Sequence, residues 1–267
     1  MSIAKTTADH TAAAPSDGAG KPSSWFLFWG GAILSLSLIP IFALQVFWAK
    51  ALITPWYLPI GGTVSALIVI YAIGRRRRWW RLGVALGCVA IAGLEWYFLL
   101  ALTVLPLYIG PIVEGSTIPV FRATLADGTE INESYFQRSR TTALVFFQGR
   151  WCPFCMTQLR ELESHHGEFS RVKADVVVVS IEDLEAAAQT QRDFPHLTVV
   201  SDQRRELSNA IDLINKGSAP DGGDSSAPTI LLLDGNGTVH WLHRPTRFIA
   251  RPSAAELVAA IEGQQVR

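Results

Sequence analysis

Ala143-Leu144-Val145-Phe146-Phe147-Gln148-Gly149-Arg150-Trp151-Cys152-Pro153-Phe154-Cys155 joins an apolar run to two cysteines separated by two residues. Ala143 to Phe147 fits a short buried strand. After Cys152, the apolar residues Met156, Leu159, Leu162 and Phe169 recur near a three-to-four spacing. That period predicts a helix of about 17 residues starting at Cys152. A strand therefore leads into the cysteine pair and a helix leads out.

This placement has chemical consequences. The first turn of a helix carries free backbone N–H groups and the positive end of the dipole, which favour an anion. A thiolate is the nucleophile in disulfide exchange, and helix N-termini lower thiol pKa values. Arg150 is close in sequence and is expected to add positive charge. Pro153 suits the first helical position, where its missing N–H costs nothing. Cys155 lies one turn after Cys152 on the same side, within reach of a sulfur bound to Cys152. A structural zinc site needs four ligands. Here there is no second C-x-x-C, Cys88 lies in an apolar segment, and His165 and His166 fall some three turns away on the same helix. A plain structural disulfide is the remaining alternative. Strand, C-x-x-C and helix together favour redox exchange.

Outward from the motif, strands and helices alternate. Ile118–Thr124 and Thr129–Ile131 flank Ala126-Asp127-Gly128, a hairpin signal. Asp175–Ile181 contains four consecutive valines, which predicts a strand buried on both faces. Asp183–Phe194 reads as helix, Leu197–Ser201 as strand and Gln203–Ile214 as helix. Residues 215–227 are rich in Gly, Ser and Asp and read as loop. Thr229–Leu233 and Thr238–His243 flank Asp234-Gly235-Asn236-Gly237 as a second hairpin. Ser253–Gly263 closes with a helix in which Ser253 and Glu256 form a capping box. The expected fold class is α/β, a mixed sheet flanked by helices.

Trp151-Cys152-Pro153-Phe154-Cys155 after an apolar strand resembles the thioredoxin-like superfamily. Leu125-Ala126-Asp127-Gly128, Val200-Ser201-Asp202 and Ala227-Pro228-Thr229 before Ile230-Leu231-Leu232-Leu233-Asp234 extend the likeness to its AhpC/TSA, or redoxin, branch. The likeness covers about residues 112–265. It implies a thioredoxin-like fold and a redox-active Cys152–Cys155 disulfide. It also implies a cis-proline at Pro228 facing the dithiol, leaving the preceding backbone free to pair with an extended client. Trp151, Arg150, Ala227 and Thr229 are the expected supporting residues.

The departures from that family are specific. Thioredoxins carry a buried acid six residues before the first cysteine; here Phe146 stands there. Peroxiredoxins place a threonine three residues, and a proline seven residues, before the peroxidatic cysteine. Before Cys152 those positions hold Gly149 and Val145; before Cys155 they hold Cys152 and Gln148. Efficient peroxide reduction is therefore not expected. Copper-carrying relatives have a longer C-x-x-x-C and a histidine in the loop before the proline strand. Here that loop is Asp221-Gly222-Gly223-Asp224-Ser225-Ser226, and His240 and His243 read as hairpin residues. No metal and no other cofactor is expected.

The rest of the chain differs in composition. Residues 1–111 hold 8 Lys+Arg against 3 Asp+Glu, and residues 112–267 hold 15 against 20, so the zero net charge is +5 and −5 cancelling. This excludes a single soluble domain, and the acidic second half offers nothing to nucleic acid. Three apolar stretches, about 25–48, 56–73 and 82–109, have the ~20 residues a spanning helix needs. Trp25, Trp48, Trp56, Tyr71, Trp79, Trp80 and Tyr108 sit near their ends, as interface anchors do. Pro40 is expected to kink the first. The first stretch is too long for a signal-peptide core despite Ala49-Lys50-Ala51. Residues 1–24 read as a disordered tail.

Arg75, Arg76, Arg77, Arg78 and Arg81 crowd between the second and third stretches, which the positive-inside rule places in the cytoplasm. Glu95 is an intramembrane carboxyl, a functional hypothesis by default. Cys88 reads as a small hydrophobe. The expectation is a multi-pass protein of a bacterial inner membrane with residues 112–267 outside the cytoplasm. There it would act as a thiol–disulfide oxidoreductase on protein clients, with a separate electron donor or acceptor. A thiol peroxidase and a copper-binding assembly factor are the alternatives.

Overall fold

The computed structural model describes residues 24–73, 78–137 and 140–265. The tail expected at residues 1–24 falls, but for Ser24, outside them, as do Arg75, Arg76 and Arg77.

Three apolar helices come first: α1 (Ser24–Phe47), α2 (Tyr57–Ile73) and α3 (Trp79–Tyr97), the last running into a π-helical turn at Phe98–Leu102. Pro40 lies inside α1 without ending it. By length and composition α1 and the 24-residue run Trp79–Leu102 are able to cross a bilayer; α2, with 17 residues, is shorter. Their outward faces are apolar, with Ile33, Leu36, Leu67, Leu86 and Leu94 all more than half exposed. Small and polar groups lie between them: Ser65 Oγ donates to Gly31 O at 2.6 Å. Cys88 is a free thiol buried beside Phe28 and Val69, as a small hydrophobe would be.

The third helix differs from the expected 82–109. It starts earlier, so Arg81 belongs to its first turn and not to the loop; the guanidinium is buried 5.1 Å from the Phe28 ring centroid. It stops earlier because the π turn closes on Thr103, whose N–H donates to Phe98 O at 3.1 Å, and Pro106 cannot extend a helix. Residues 103–109 instead run along the second half of the chain, where Tyr108 Oη donates to Ile211 O at 3.0 Å.

The second half is a seven-stranded mixed sheet with helices on its faces. Its strands are β1 (Arg122–Leu125), β2 (Glu130–Asn132), β3 (Thr141–Phe146), β4 (Ala174–Ser180), β5 (Thr198–Ser201), β8 (Thr229–Leu233) and β9 (Val239–His243), in the order β2-β1-β5-β4-β3-β8-β9. A separate two-stranded ribbon pairs β6 (Ile214–Asn215) with β7 (Ser225–Ser226). β3, β4 and β5 are parallel, and β8 and β9 add antiparallel strands beside β3. The valines of β4 alternate between two cores: Val176 and Val178 face one, Val177 and Val179 the other. That two-sided burial explains the unbroken valine run, each valine stabilising by about 1.5–3 kcal/mol if fully buried.

The first core lies under α4 (Pro153–Ser164), α5 (His166–Arg171), α6 (Leu184–Asp193) and α8 (Ala254–Gln265). The expected 17-residue helix is broken at His165, which leaves helical geometry at φ −105°, ψ 15°. The second core is closed by residues 112–136 and by α7 (Glu206–Ala210). α7 is much shorter than the expected 203–214. Asp202 accepts the Ser208 N–H at 2.7 Å at its start. Asp212 turns left-handed at φ 55° beyond its end, and Ile214 then pairs into the ribbon. The capping box of α8 is present: Glu256 N–H donates to Ser253 Oγ at 3.2 Å and Ser253 N–H to Glu256 Oε2 at 2.7 Å.

Candidate active site

β3 ends at Phe146, and residues 147–151 carry the chain from the sheet edge to the start of α4. Glu182, just past β4, holds that loop: both its carboxylate oxygens accept the Arg150 N–H at 3.0 Å. Gly149 passes close beneath it at φ 152°, where a Cβ would lie 2.7 Å from Glu182 Oε1. Burial holds the Glu182 carboxyl above the usual carboxylate range, against the pull of that N–H.

Cys152 is the N-cap of α4, and its Sγ accepts the Cys155 N–H at 3.3 Å. Both cysteines are free thiols, 1% and 0% exposed. They meet around one acceptor: Gln148 Oε1 lies 3.2 Å from Cys152 Sγ and 4.0 Å from Cys155 Sγ. On the far side Arg251, from the segment before α8, places Nη2 3.7 Å from Cys155 Sγ and Nη1 3.3 Å from Gln158 Oε1.

This arrangement corrects the expected electrostatics. Arg150 is turned to α6, where Nη1 donates to Thr190 Oγ1 at 3.2 Å and Nη2 to Asp193 at 2.9 Å. The cation beside the sulfurs is Arg251, in contact with Cys155, and its charge is felt at both sulfurs. Burial resists a thiolate on Cys155, but hydrogen bonding from Cys152 and the Arg251 charge outweigh it and bring this thiol down to about 6. The hydrogen bond shared with Cys155, together with burial, pushes the Cys152 thiol up. The pair thus holds one proton between two sulfurs and gives up the second with difficulty.

Pro228 is buried at the entry to β8, where Thr229 pairs with Phe146 at the site end of β3. Every peptide bond among the described residues is trans, so the expected cis-proline is not present. The chain runs from the β6–β7 ribbon straight into β8, and the Ala227 N–H already donates to Leu213 O at 2.7 Å. The backbone before Pro228 is therefore not free to pair with a client strand. Thr229 Oγ1 closes onto Ala227 O at 3.2 Å.

Trp151 stands at the rim, 39% exposed. With Gln148, Glu182, Arg205 and Asp224 it lines a cavity of about 430 Å³. On the opposite side Phe154 packs against Phe248, with ring centroids 5.6 Å apart, and against Phe42 of α1 at 6.4 Å. Glu95 is buried in α3 with neither oxygen hydrogen-bonded among the described residues, and it is not part of this site. His240 bonds Asp234 at 3.0 Å on the second hairpin. Gln158, Glu182 and Arg251 carry no local signature and are absent from the sequence reading, which met Gln148 only as a position lacking the peroxiredoxin proline.

The AhpC/TSA family model matches residues 115–242. Over those residues, just under half of the chain, the sequence is similar to the AhpC/TSA family. Peroxiredoxin 6 of Arenicola marina, solved as a cysteine-to-serine mutant, superposes with a TM-score of 0.52 at 14% identity, covering 58% of this chain and 74% of its own. Peroxiredoxin 5 of Alvinella pompejana gives 0.51 at 17% identity, over 58% and 100%. The thiol peroxidase of Chromobacterium violaceum gives 0.51 at 15%, over 59% and 91%. At such identities the AhpC/TSA domain shares their fold, which is thioredoxin-like. No curated protein matches the chain. The paired thiols lie within the residues that this family model matches.

Proposed function

We propose that the chain is a membrane-anchored thiol–disulfide oxidoreductase, with Cys152 and Cys155 as its catalytic pair. The observation that carries this reading is the convergence of the two free sulfurs on Gln148 Oε1, with Arg251 beside Cys155. A dithiol that has already lost one proton can exchange with a disulfide. Cys152, when its proton resides on Cys155, attacks a client disulfide. One client sulfur leaves as a thiolate and a mixed disulfide forms at Cys152. Cys155 then attacks that bond, closing Cys152–Cys155 and releasing the second client thiol. The reverse sequence oxidises a client dithiol. On this reading clients reach Cys152 from the Trp151 side, through the cavity beside Gln148.

The alternative of a thiol peroxidase has the weaker support. Gly149 stands where a peroxide pocket needs threonine, and its φ of 152° with the Glu182 contact leaves no space for one. Val145, in the proline position, is an interior residue of β3.

Membrane anchoring is supported by the apolar outward faces of α1–α3, of a kind that soluble monomers rarely leave exposed to water. Arg75 to Arg78 between α2 and α3 favour a cytoplasmic loop there. We read α2, although only 17 residues long, as a third crossing beside α1 and α3; on that reading the AhpC/TSA domain would lie outside the cytoplasm of a bacterial cell, with protein disulfides as its substrates and the bilayer as its support.

The test is reduction of a protein disulfide, such as that of insulin, by the purified, prereduced full chain in detergent. Each single Cys→Ser variant at 152 and 155 should abolish stoichiometric two-electron transfer. Undiminished transfer by both variants would defeat the assignment.

A further inference from the structure

The loop 244–253, which carries Arg251, has no regular structure of its own. Its backbone is tied to the helical half at three hydrogen bonds, while the Arg244 and Arg251 side chains reach Thr229, Gln158 and Cys155 in the other half. Leu105 N–H donates to Thr246 O at 3.0 Å and Phe248 N–H to Thr103 O at 2.9 Å, and Val104 and Arg247 form an antiparallel bridge between these bonds. Arg251 N–H donates to Leu52 O at 2.8 Å, in the α1–α2 connection.

The side chain of Arg247 strengthens the same junction. A π turn leaves a helix-end carbonyl without its usual partner, and the carbonyl end of a helix favours a cation. Arg247 Nη1 donates to Leu99 O in that turn and to Thr103 Oγ1 at 3.4 Å, and its guanidinium lies 5.5 Å from the Trp56 ring centroid. Thr103 is itself fully buried, with Oγ1 donating to Leu99 O at 2.9 Å.

A continuous path then runs to the sulfur. Thr103 O holds the Phe248 N–H. Phe248 O accepts Arg251 Nε at 2.7 Å, and Arg251 Nη2 reaches Cys155 Sγ at 3.7 Å. The Arg251 side chain is bound on three sides and only 8% exposed, so its position follows the loop.

We propose that Arg247 and Thr103 are positioning residues through which the helical half holds Arg251 against Cys155. The three-helix unit thereby sets the chemistry of the dithiol and is more than a tether. The inference rests on reading Cys152–Cys155 as the redox pair. The charged groups felt at this place are few. Arg251 faces the sulfurs; His243 and Arg244 feel its charge, and Glu256 acts on His243. Burial holds His243 below the usual histidine range.

The experiment measures alkylation of the reduced full chain by iodoacetamide as a function of pH, with Arg247→Ala, Arg247→Lys and Thr103→Val. Near-UV circular dichroism reports whether each is folded. Arg247→Ala should raise the thiol midpoint by about one pH unit, which is a tenfold loss of thiolate below it. Thr103→Val, which removes one acceptor but keeps the Phe248 bond, should give a smaller shift in the same direction, and Arg247→Lys should restore part of it. In an Arg251→Met background the Arg247→Ala shift should vanish, because the effect passes through Arg251. Arg204→Ala, on the surface with Glu130, should do nothing. An unchanged midpoint in Arg247→Ala, or an equal shift in the Arg251→Met background, overturns the proposal; if Arg247→Ala does not fold, an unchanged Thr103→Val profile does so. The readout is thiol acidity, so a shift without disulfide exchange would sink the enzymatic reading and leave this one standing.

Discussion

Arg251 Nη2 approaches Cys155 Sγ to 3.7 Å across 96 residues of sequence. The contact places a buried cation on the second cysteine of the motif, one turn inside α4. The helix terminus acts on the first cysteine, through the Cys155 N–H on Cys152 Sγ. One sulfur therefore has the guanidinium and the other has the helix end, and a single negative charge is shared between them.

Removing the guanidinium should show in both acidity and potential. In Arg251→Met the alkylation midpoint should rise from about 6 toward the ordinary thiol range. A thiolate stabilises only the reduced form, so each unit of rise should lower the reduction potential by about 30 mV. The sign for stability follows. The folded value lies below the unfolded one, so the contribution to the reduced protein is complete above the ordinary thiol range and lost as pH falls through about 6. Arg150→Met is the contrast: its half-exposed bridge to Asp193 is worth at most about 1 kcal/mol, and the thiol midpoint should not move.

The loop before Cys152 should tolerate no side chain at Gly149. Gly149→Ala forces a Cβ to 2.7 Å from Glu182 Oε1 at a φ that L-residues avoid. Chemical denaturation should show a loss of about 1–3 kcal/mol. For the same reason a peroxide-binding threonine has no place there. Stopped-flow oxidation of the reduced chain by hydrogen peroxide should run at the rate of an unassisted thiolate. A rate many orders faster would make the chain a peroxidase.

What the sequence makes legible here is local or periodic. The valines of β4, the capping box of Ser253 and Glu256, and the strand–C-x-x-C–helix order each depend on neighbours a few residues apart. Features set by distant partners were not legible. Arg251 looks like any residue before a helix cap, and only tertiary packing brings it to Cys155. The shortness of α7 depends on Asp202 and on a two-residue ribbon pairing. The end of the third helix depends on a π turn whose carbonyl finds Arg247, 148 residues away. The Ala227 N–H is claimed by Leu213 O, a partner outside the proline motif.

Topology is open to a direct measurement. If the arginine-rich connection between α2 and α3 is cytoplasmic, alkaline phosphatase fused after Arg267 should be active and a cytoplasmic reporter at the same point inactive. The opposite pair of results would place the dithiol in a reducing compartment and remove extracytoplasmic disulfides as its substrates.

The division of labour between the sulfurs is the sharpest point. Cys152 Sγ lies 3.2 Å from Oε1 of Gln148, which lines the Trp151 cavity, whereas Cys155 Sγ lies 4.0 Å from that oxygen and 3.7 Å from Arg251 Nη2. A client disulfide entering from that cavity meets Cys152 first, even though the lower pKa falls on Cys155. Cys155 then serves as proton acceptor before the attack and as resolving nucleophile after it. Cys155→Ser should leave client proteins bound to Cys152 as adducts released by reductant. Because that variant also loses the thiolate partner, its adducts should form more slowly below neutrality than the wild-type chain exchanges. Cys152→Ser should trap few clients, its remaining thiolate being buried behind the serine. Adducts gathering instead on Cys152→Ser would mean that clients enter from the Phe42–Phe154 side, and that the guanidinium, not access, selects the attacking sulfur.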